Sequence, residues 1–148
     1  MVPFQVGIAT WKLGAALATG CTVVLKPSEL TPPSVLFLCD LIKEAGFPPG
    51  VVNVVNGYGP AAGKVICEHM DVNKISFTGS PATGKLVAKA AVDRNLKKVT
   101  LELGGKSPNI IFDDADLDQA IKWADIGIYY NAGQGVVVVF VTLGLLSR

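Results

Sequence analysis

The sequence has few of the residues that build disulfide frameworks and metal centres. Its 148 residues include three cysteines and one histidine. Cys21, Cys39 and Cys67 are too few and too widely spaced for a disulfide scaffold or a zinc ribbon. Their apolar neighbours predict small buried side chains, and a reducing compartment fits this usage. His69 has no second histidine or cysteine at metal-ligand spacing, so we interpret it as a helix-end residue and expect no metal.

Charge of one sign and long hydrophobic runs are also missing. Thirteen Lys+Arg against twelve Asp+Glu leave a net charge of +1. Because nucleic-acid-binding proteins usually carry a basic excess or stripe, we expect no nucleic-acid partner. The apolar run Gly135–Leu146 is shorter than the roughly 20 residues that span a bilayer, so we expect no membrane insertion. The start of the chain, Met1 to Phe4, lacks the basic and apolar segments of a signal peptide.

Enough apolar residues are present to build a folded domain. Hydrophobic residues make up 50% of the chain, which excludes intrinsic disorder as the main interpretation. The length is that of one domain. Trp11 and Trp123 fall on apolar faces and are interpreted as core or domain contacts. The acidic cluster at Asp113, Asp114, Asp116 and Asp118 lacks the glycine and terminal glutamate of an EF-hand loop, so we interpret it as a helix cap.

Short β-branched runs alternate with longer helical stretches, which is the spacing of βαβ units. The nearly all-apolar run Val51–Val55 predicts a strand covered on both faces. Parallel strands joined by helical crossovers predict an α/β fold with an open, doubly wound parallel sheet. The predicted strands are Thr22–Leu25, Val51–Val55, Ile75–Phe77, Val99–Leu103 and Asn109–Phe112. The predicted helices are Ala9–Thr19, Pro32–Ala45 with Gly46 as C-cap, Ala61–His69, Ala82–Val92 and Leu117–Tyr130.

Three of the loops that follow these strands carry residues with ligand-binding or catalytic chemistry. Lys26 and Glu29 have the donors and acceptors to grip two ribose hydroxyls, or they belong to a solvated turn. The loop Thr78–Gly84 leads into a helix N-terminus, which is either a phosphate site or a tight turn. Glu102 ends an apolar strand, where partial burial would raise its pKa and make it a general-base candidate. The alternative is a glutamate paired with Lys106.

Taken together, these residues resemble the NAD-dependent aldehyde dehydrogenase superfamily, and the resemblance runs from about Trp11 to Gln134. It implies a Rossmann-like NAD-binding domain, partial here, over residues 1–134, and a divergent apolar tail over 135–148. The motifs that carry it are Ala-Leu-Ala-Thr-Gly (16–20), Thr-Val-Val-Leu-Lys-Pro-Ser-Glu (22–29), Glu-Ala-Gly-Phe-Pro-Pro-Gly-Val-Val-Asn-Val-Val (44–55), Gly-Tyr-Gly-Pro (57–60), Phe-Thr-Gly-Ser (77–80), Glu-Leu-Gly-Gly-Lys-Ser-Pro (102–108), Asn-Ile-Ile-Phe-Asp-Asp-Ala-Asp (109–116) and Asn-Ala-Gly-Gln (131–134).

The resemblance implies a role for each loop. Lys26 and Glu29 match residues that hold the adenine ribose of NAD, with Ser28 in the same loop. Glu102 matches the general base, and Leu103 and Gly104 match residues beside the nicotinamide. The remaining matches are the adenine wall at Gly59 and Pro60, the pyrophosphate loop at Phe77, Thr78, Gly79 and Ser80, and Thr83 in place of an aliphatic residue near the adenine. Pro81 replaces a threonine of this loop, and we expect both replacements to weaken binding.

Two departures bear on catalysis. Val136 stands where the family has its nucleophilic cysteine, and no cysteine follows Cys67. Counting back from Trp11 places Pro3 where the family has its oxyanion-hole asparagine. The resemblance implies aldehyde oxidation with NAD, small aldehyde substrates and homo-oligomers for full-length members. We expect that this sequence does not include the segments for oligomerisation and for the second ribose contact.

We therefore expect a truncated, catalytically incomplete form of an aldehyde dehydrogenase. The wording of the motifs is closest to the broad-substrate class, cytoplasmic or mitochondrial. The alternatives are a non-catalytic NAD-binding or regulatory module, and a protein with a membrane tail. Because valine codons begin with GT, as intron donor sites do, a translated intron after Gln134 is a further account of the tail.

Overall fold

The computed structural model describes residues 5–105, 107–130 and 139–141, and its helices and strands alternate as predicted. The chain divides into two compact units, one within Val2–Glu102 and one within Leu103–Arg148. The helices are α1 (Gln5–Ala18), α2 (Pro32–Glu44), α3 (Lys64–Glu68), α4 (Pro81–Arg94) and α5 (Leu117–Tyr129). The strands are β1 (Val23–Leu25), β2 (Val52–Val54), β3 (Lys74–Gly79), β4 (Lys98–Leu103), β5 (Ser107–Asn109) and β6 (Val139–Val141).

The first βαβ unit consists of β1, α2 and β2. Its strands run parallel, with Val23 paired to Val52 and Leu25 to Val54, as the sequence predicts. Prolines occupy the first turn of α2, where a missing N–H costs no hydrogen bond. The helix ends at Glu44 with Ala45 as its C-cap, and Gly46 follows with φ of +82°, so the cap lies one residue before the predicted one at Gly46. The left-handed conformation of Gly46 lets residues 46 and 47 donate to the carbonyls of Lys43 and Ile42, which satisfies the end of the helix.

Strands β3 and β4 are hydrogen-bonded neighbours joined by α4. Helix α1 packs against α2 and β1, and α4 packs against β3 and α3. Among the described residues, the ladders form three two-stranded sheets, β1–β2, β3–β4 and β5–β6, whereas the sequence predicts one continuous sheet. The strands nevertheless have the α/β connectivity that was predicted.

The apolar core of the described residues is small. Its buried side chains are Ala9, Leu13, Val35, Ile75, Val87 and Ala91. Strand β2 is half-buried at its ends and exposed at Asn53, so the prediction of a strand covered on both faces is wrong. Trp11 and Trp123 are 70% and 64% exposed, so neither belongs to the core. Cys21 is exposed as well, contrary to the prediction for it.

A buried lysine fastens the end of α3 to the start of β4. Lys97 is only 6% exposed, and its ammonium donates to the carbonyl oxygens of Cys67 at 2.8 Å and His69 at 2.6 Å. Those carbonyls end α3, where a positive charge is favoured by the helix dipole. The Asn95 amide adds hydrogen bonds to the carbonyls of Met70 and Val72. We call these contacts the Lys97 clamp.

The segment before α3 differs from the continuous helix that the sequence predicts over Ala61–His69. A π-helical turn spans Gly59–Gly63, and the α-helix covers only Lys64–Glu68. His69 caps that helix, as expected for a helix-end residue. Its Nδ1 accepts a hydrogen bond from the Asp71 N–H at 3.2 Å.

The second compact unit contains another βαβ arrangement, β5, α5 and β6. The strand predicted at Asn109–Phe112 lies earlier, at Ser107–Asn109, where it pairs in parallel with β6. Asp116 caps α5 as predicted, because its carboxylate accepts from the Gln119 N–H at 3.2 Å.

The described residues lack the features of a metal site and of a membrane span. They contain no group of three or more His, Cys, Asp or Glu side chains able to hold a metal ion. No helix among them has both the length and the apolar character needed to cross a membrane.

Candidate functional site

The Lys26 side chain joins the loops that follow β1 and β2. Its ammonium donates to the carbonyl oxygens of Pro27 at 2.8 Å and Gly57 at 2.9 Å. It also lies 3.5 Å from a carboxylate oxygen of Glu29. Its carbon chain passes Gly63, where an added Cβ would lie 3.6 Å from Lys26 Cε. Two predicted loops thus meet at one half-buried cation.

The Lys26–Glu29 pair places a donor and an acceptor side by side. Glu29 is exposed, and a backbone hydrogen bond at Glu29 lowers the pKa of its carboxyl. The nearby Lys26 charge lowers this pKa too, while desolvation opposes the shift. The carboxylate is therefore ionised at neutral pH. Ser28 shapes the turn between them, since its hydroxyl accepts from the Leu30 N–H at 3.3 Å.

The predicted adenine wall, Gly59 and Pro60, forms the first turn of the π-helical segment. The preceding Gly57 packs so closely that an added Cβ would lie 2.7 Å from the Cβ of Ala62. A contact that short is sterically impossible without a backbone shift. The Lys26 bond therefore holds this turn, and the absence of a side chain at Gly57 leaves the room that Ala62 occupies.

The predicted pyrophosphate loop spans the end of β3 and the start of α4. The Ser80 hydroxyl oxygen accepts from the Thr83 N–H at 3.2 Å and lies 3.0 Å from the Thr83 hydroxyl. The half-buried ring of Phe77 lies against Gly79, where an added Cβ would come within 2.5 Å of Phe77 Cζ. Thr78 is half-buried between them. These residues form one compact turn at a helix N-terminus, as the sequence predicts.

Glu102 lies near the end of β4, and it is exposed rather than partly buried. The expectation that Glu102 is partly buried is therefore wrong for the described chain. Its electrostatic partner is Lys12 of α1: burial lowers the pKa of the Lys12 ammonium, and the Glu102 charge raises it in part. Lys12 also donates to the Ser76 hydroxyl of β3 at 3.0 Å. The alternative partner, Lys106, lies outside the described residues.

Leu103 and Gly104 are half-buried and belong to the second compact unit. That unit also contains an open cleft of about 310 Å³ between the segment after β5 and α5. The cleft includes none of the predicted site residues; its lining includes Ile111, Phe112 and Trp123. The predicted positions Val136 and Pro3 lie outside the described residues.

Sequence reasoning gave no role to Lys12. A signal was available, because Lys12 is the single charged residue of the otherwise uncharged helix α1. A lone lysine in such a helix indicates a specific partner, since a charge is rarely left half-buried without one. The contact between Lys26 and Gly57 could not be predicted for another reason: it is made by a backbone carbonyl oxygen, which every residue has.

Comparison with known proteins identifies the family. The model of the aldehyde dehydrogenase family matches residues 2–140. The chain belongs to the aldehyde dehydrogenase family. It is 60% identical over 131 residues to aldehyde dehydrogenase 1A1 of Gallus gallus, covering 88% of this chain and 26% of that protein. It is 53% identical to an aldehyde dehydrogenase of Agaricus bisporus, covering 98% of this chain and 30% of that one.

Solved aldehyde dehydrogenase structures confirm the fold. The NAD⁺ complex of the Bacillus cereus enzyme superposes with a TM-score of 0.85 at 57% identity, covering 90% of this chain and 28% of that one. A complex of PnpE with nicotinamide adenine dinucleotide gives a TM-score of 0.86 at 51% identity. The predicted α/β class and the family resemblance are therefore confirmed. The chain spans between a quarter and a third of the relatives that it matches.

Proposed function

We propose that this chain binds NAD through the loops after β1, β2 and β3, and that it does not oxidise aldehydes by itself. On this proposal residues 1–134 are part of the NAD-binding domain of an aldehyde dehydrogenase, and residues 135–148 are its divergent tail. The observation that carries the proposal is the pair of hydrogen bonds from Lys26 to the carbonyls of Pro27 and Gly57, which brings the loops after β1 and β2 together. Two similar solved structures are complexes with this dinucleotide, which supports the choice of ligand.

The chemistry of the Lys26–Glu29 pair fits a ribose. The two short Lys26 bonds hold backbone carbonyls, while the 3.5 Å contact to Glu29 is the longest of the three. An ion pair with an exposed partner contributes little, because water screens the two charges. Ribose hydroxyls can therefore replace the Glu29 contact at small cost, accepting from Lys26 and donating to Glu29. The Glu29 charge also repels a 2′-phosphate, so we propose NAD rather than NADP.

The helix start at α4 fits the pyrophosphate less fully. A helix N-terminus favours an anion through its N–H groups and dipole. Pro81 has no N–H, and the N–H groups of Thr83 and Gly84 donate to the Ser80 side chain and carbonyl. Fewer donors therefore face a phosphate, unless Ser80 releases one. This supports the prediction that Pro81 weakens binding relative to the usual loop.

Catalysis needs more than this site contains. The nicotinamide of bound NAD would supply the hydride acceptor, beside Leu103 and Gly104. Glu102 has the carboxylate of a general base, and its charge interacts with the Lys12 ammonium. With Val136 in place of the nucleophile, no thioester can form. Losing a nucleophile lowers kcat by about 10⁴ to 10⁶, and losing an oxyanion donor by about 10² to 10³.

The remaining parts of the proposal concern location and assembly. The three free cysteines support a reducing compartment, the cytoplasm or the mitochondrial matrix. Large hydrophobic side chains that are exposed, among them Trp11, Phe37 and Trp123, favour association in solution. Light scattering checks this, since a monodisperse monomer would contradict it.

Titration calorimetry with NAD tests the central proposal. We expect the unaltered chain to bind NAD with a micromolar dissociation constant. Lys26→Met should lower the affinity about tenfold or more, because a charged hydrogen-bond donor is removed. The control Lys43→Met, at an exposed lysine of α2, should leave the affinity unchanged. No binding at millimolar NAD would refute the proposal. Absorbance at 340 nm with an aldehyde and NAD tests the second half, since NADH formation above an enzyme-free blank would show that the chain is catalytic.

The choice between NAD and NADP has its own test. Glu29→Gln removes the negative charge and keeps the size of the side chain. We expect this variant to bind NAD more weakly and to show a smaller difference between its affinities for NAD and NADP. An unchanged preference would show that Glu29 does not discriminate between the two cofactors.

A further inference from the structure

The first turn of α4 offers few backbone donors to a phosphate. Pro81 occupies the first position of the helix and has no N–H. The Thr83 N–H donates to the Ser80 hydroxyl oxygen at 3.2 Å, and the Gly84 N–H donates to the Ser80 carbonyl oxygen at 2.9 Å. Among the described residues no acceptor takes the Ala82 N–H. That single N–H of the turn is therefore left for a ligand.

The two hydroxyl groups of this turn are paired with each other. Ser80 Oγ lies 3.0 Å from Thr83 Oγ1, and both residues are exposed. The pair uses one of the two hydroxyl hydrogens, so one hydroxyl and the Ala82 N–H are the donors that remain. The pyrophosphate of a dinucleotide carries more anionic oxygen atoms than these donors can satisfy, so water must supply the other hydrogen bonds.

The ribose end of the site has its donor and its acceptor in place. Lys26 and Glu29 lie 3.5 Å apart, and the carbonyl oxygens of Pro27 and Gly57 hold the Lys26 ammonium beside the carboxylate. Hydrogen bonds to charged groups are stronger than those between neutral groups. The contacts that this chain can offer are therefore concentrated on the ribose rather than on the phosphates.

The residues assigned to the nicotinamide belong to another part of the chain. The Lys26–Glu29 pair and the first turn of α4 lie in the first compact unit. Leu103 and Gly104 lie in the second compact unit. The first unit thus contains the ribose contacts without the residues that are assigned to the far half of a dinucleotide.

We propose that the first compact unit binds the adenosine part of its ligands and gains little from the groups joined to the 5′ oxygen. Its ligands are then adenine nucleosides and nucleotides with free 2′ and 3′ hydroxyls, such as adenosine, ADP, ADP-ribose and NAD. This ligand range rests on the proposed function and widens it. The chain does not select the redox cofactor over other adenine nucleotides.

Titration calorimetry of the full chain with adenosine and with NAD tests this proposal. The dipole at an exposed helix end strengthens anion binding by only about fivefold. We therefore expect NAD to bind less than about tenfold more tightly than adenosine. A larger preference for NAD would overturn the proposal and leave the proposed function intact. Absence of binding by both ligands would refute the two together.

The variant Pro81→Ala gives a second readout, because it restores an N–H at the start of α4. The phosphates gain a donor that adenosine cannot use, so NAD should bind about threefold or more tightly while adenosine binds as before. The control Pro33→Ala replaces a proline in the first turn of α2 and should change neither affinity. An unchanged NAD affinity in folded Pro81→Ala would overturn the proposal, since missing donors would then not limit phosphate binding.

Discussion

The Lys97 clamp gives the sharpest stability prediction. Lys97→Met keeps a side chain of similar length and removes the ammonium that donates to the carbonyls of Cys67 and His69. Each buried acceptor that loses its partner costs about 1–3 kcal/mol. His69 is exposed and Cys67 half-buried, so water can reach the freed oxygens and the lower end applies. Two such losses give a destabilisation of about 2 kcal/mol.

Lys97→Met also removes a buried charge, and this change favours the folded state. Replacing a buried ion together with its partners by apolar groups is often neutral or stabilising. In Lys97→Met the two carbonyls remain, so the unpaired acceptors dominate. A loss of about 2 kcal/mol lowers the melting temperature of a domain of this size by about 4–8 °C.

Urea denaturation followed by circular dichroism measures this effect, with Lys98→Met as the control. Lys98 is the exposed neighbour of Lys97 on the same chain segment, so its replacement should change stability by less than about 0.5 kcal/mol. A second readout concerns Cys67, since burial raises the pKa of its thiol and the Lys97 charge opposes that rise. The thiol pKa should climb further in Lys97→Met. An unchanged denaturation midpoint in that variant would refute the reasoning.

Three further predictions follow from the site. Because the pKa of Glu29 is held below its ordinary value, NAD affinity should stay constant from pH 8 to about 5 and weaken as pH falls through that lowered pKa; calorimetry of Glu29→Gln should show no such fall. In Glu102→Gln the pKa of Lys12 should drop further, because the charge that raises it is gone; NMR of methylated lysines measures this, and an unmoved pKa would contradict the coupling. Ser80→Ala should lower the free energy of unfolding by about 1 kcal/mol, because α4 loses its N-cap; a thermal stability equal to that of the unaltered chain would contradict this.

The connectivity of the fold was predictable because it depends on local chemistry. Paired prolines begin α2, a glycine follows its end, and Asp116 caps α5, each at or within one residue of the predicted position. Strand β5 shifted because pairing, rather than apolar character, defines a strand. The apolar run after Asn109 predicted a strand there, yet the ladder with β6 selects Ser107–Asn109, and only the fold reveals that partner.

The candidate site was predictable in its residues but less so in its contacts. The sequence indicates Lys26 and Glu29, but the atoms that anchor Lys26 are backbone carbonyls, which no motif encodes. The expected burial of Glu102 failed because β4 is largely exposed in this chain, whose length is about a quarter of its relatives. Burial depends on the whole assembly of packed elements and cannot be derived from one strand.

The close contacts at Gly57 and Gly79 bear on how tolerance to substitution is interpreted. Any side chain at Gly79 meets the Phe77 ring, and any side chain at Gly57 meets the Cβ of Ala62. Both positions lie in loops assigned to the cofactor, where an invariant glycine is ordinarily taken as the mark of a nearby ligand. At Gly57 steric exclusion within the chain is sufficient to require glycine, because the Cβ of Ala62 is fixed by the backbone, whereas at Gly79 the obstructing atom is the tip of a side chain that can turn aside. A mutational scan selected for folding alone should therefore reject substitutions at Gly57 whether or not a nucleotide binds there.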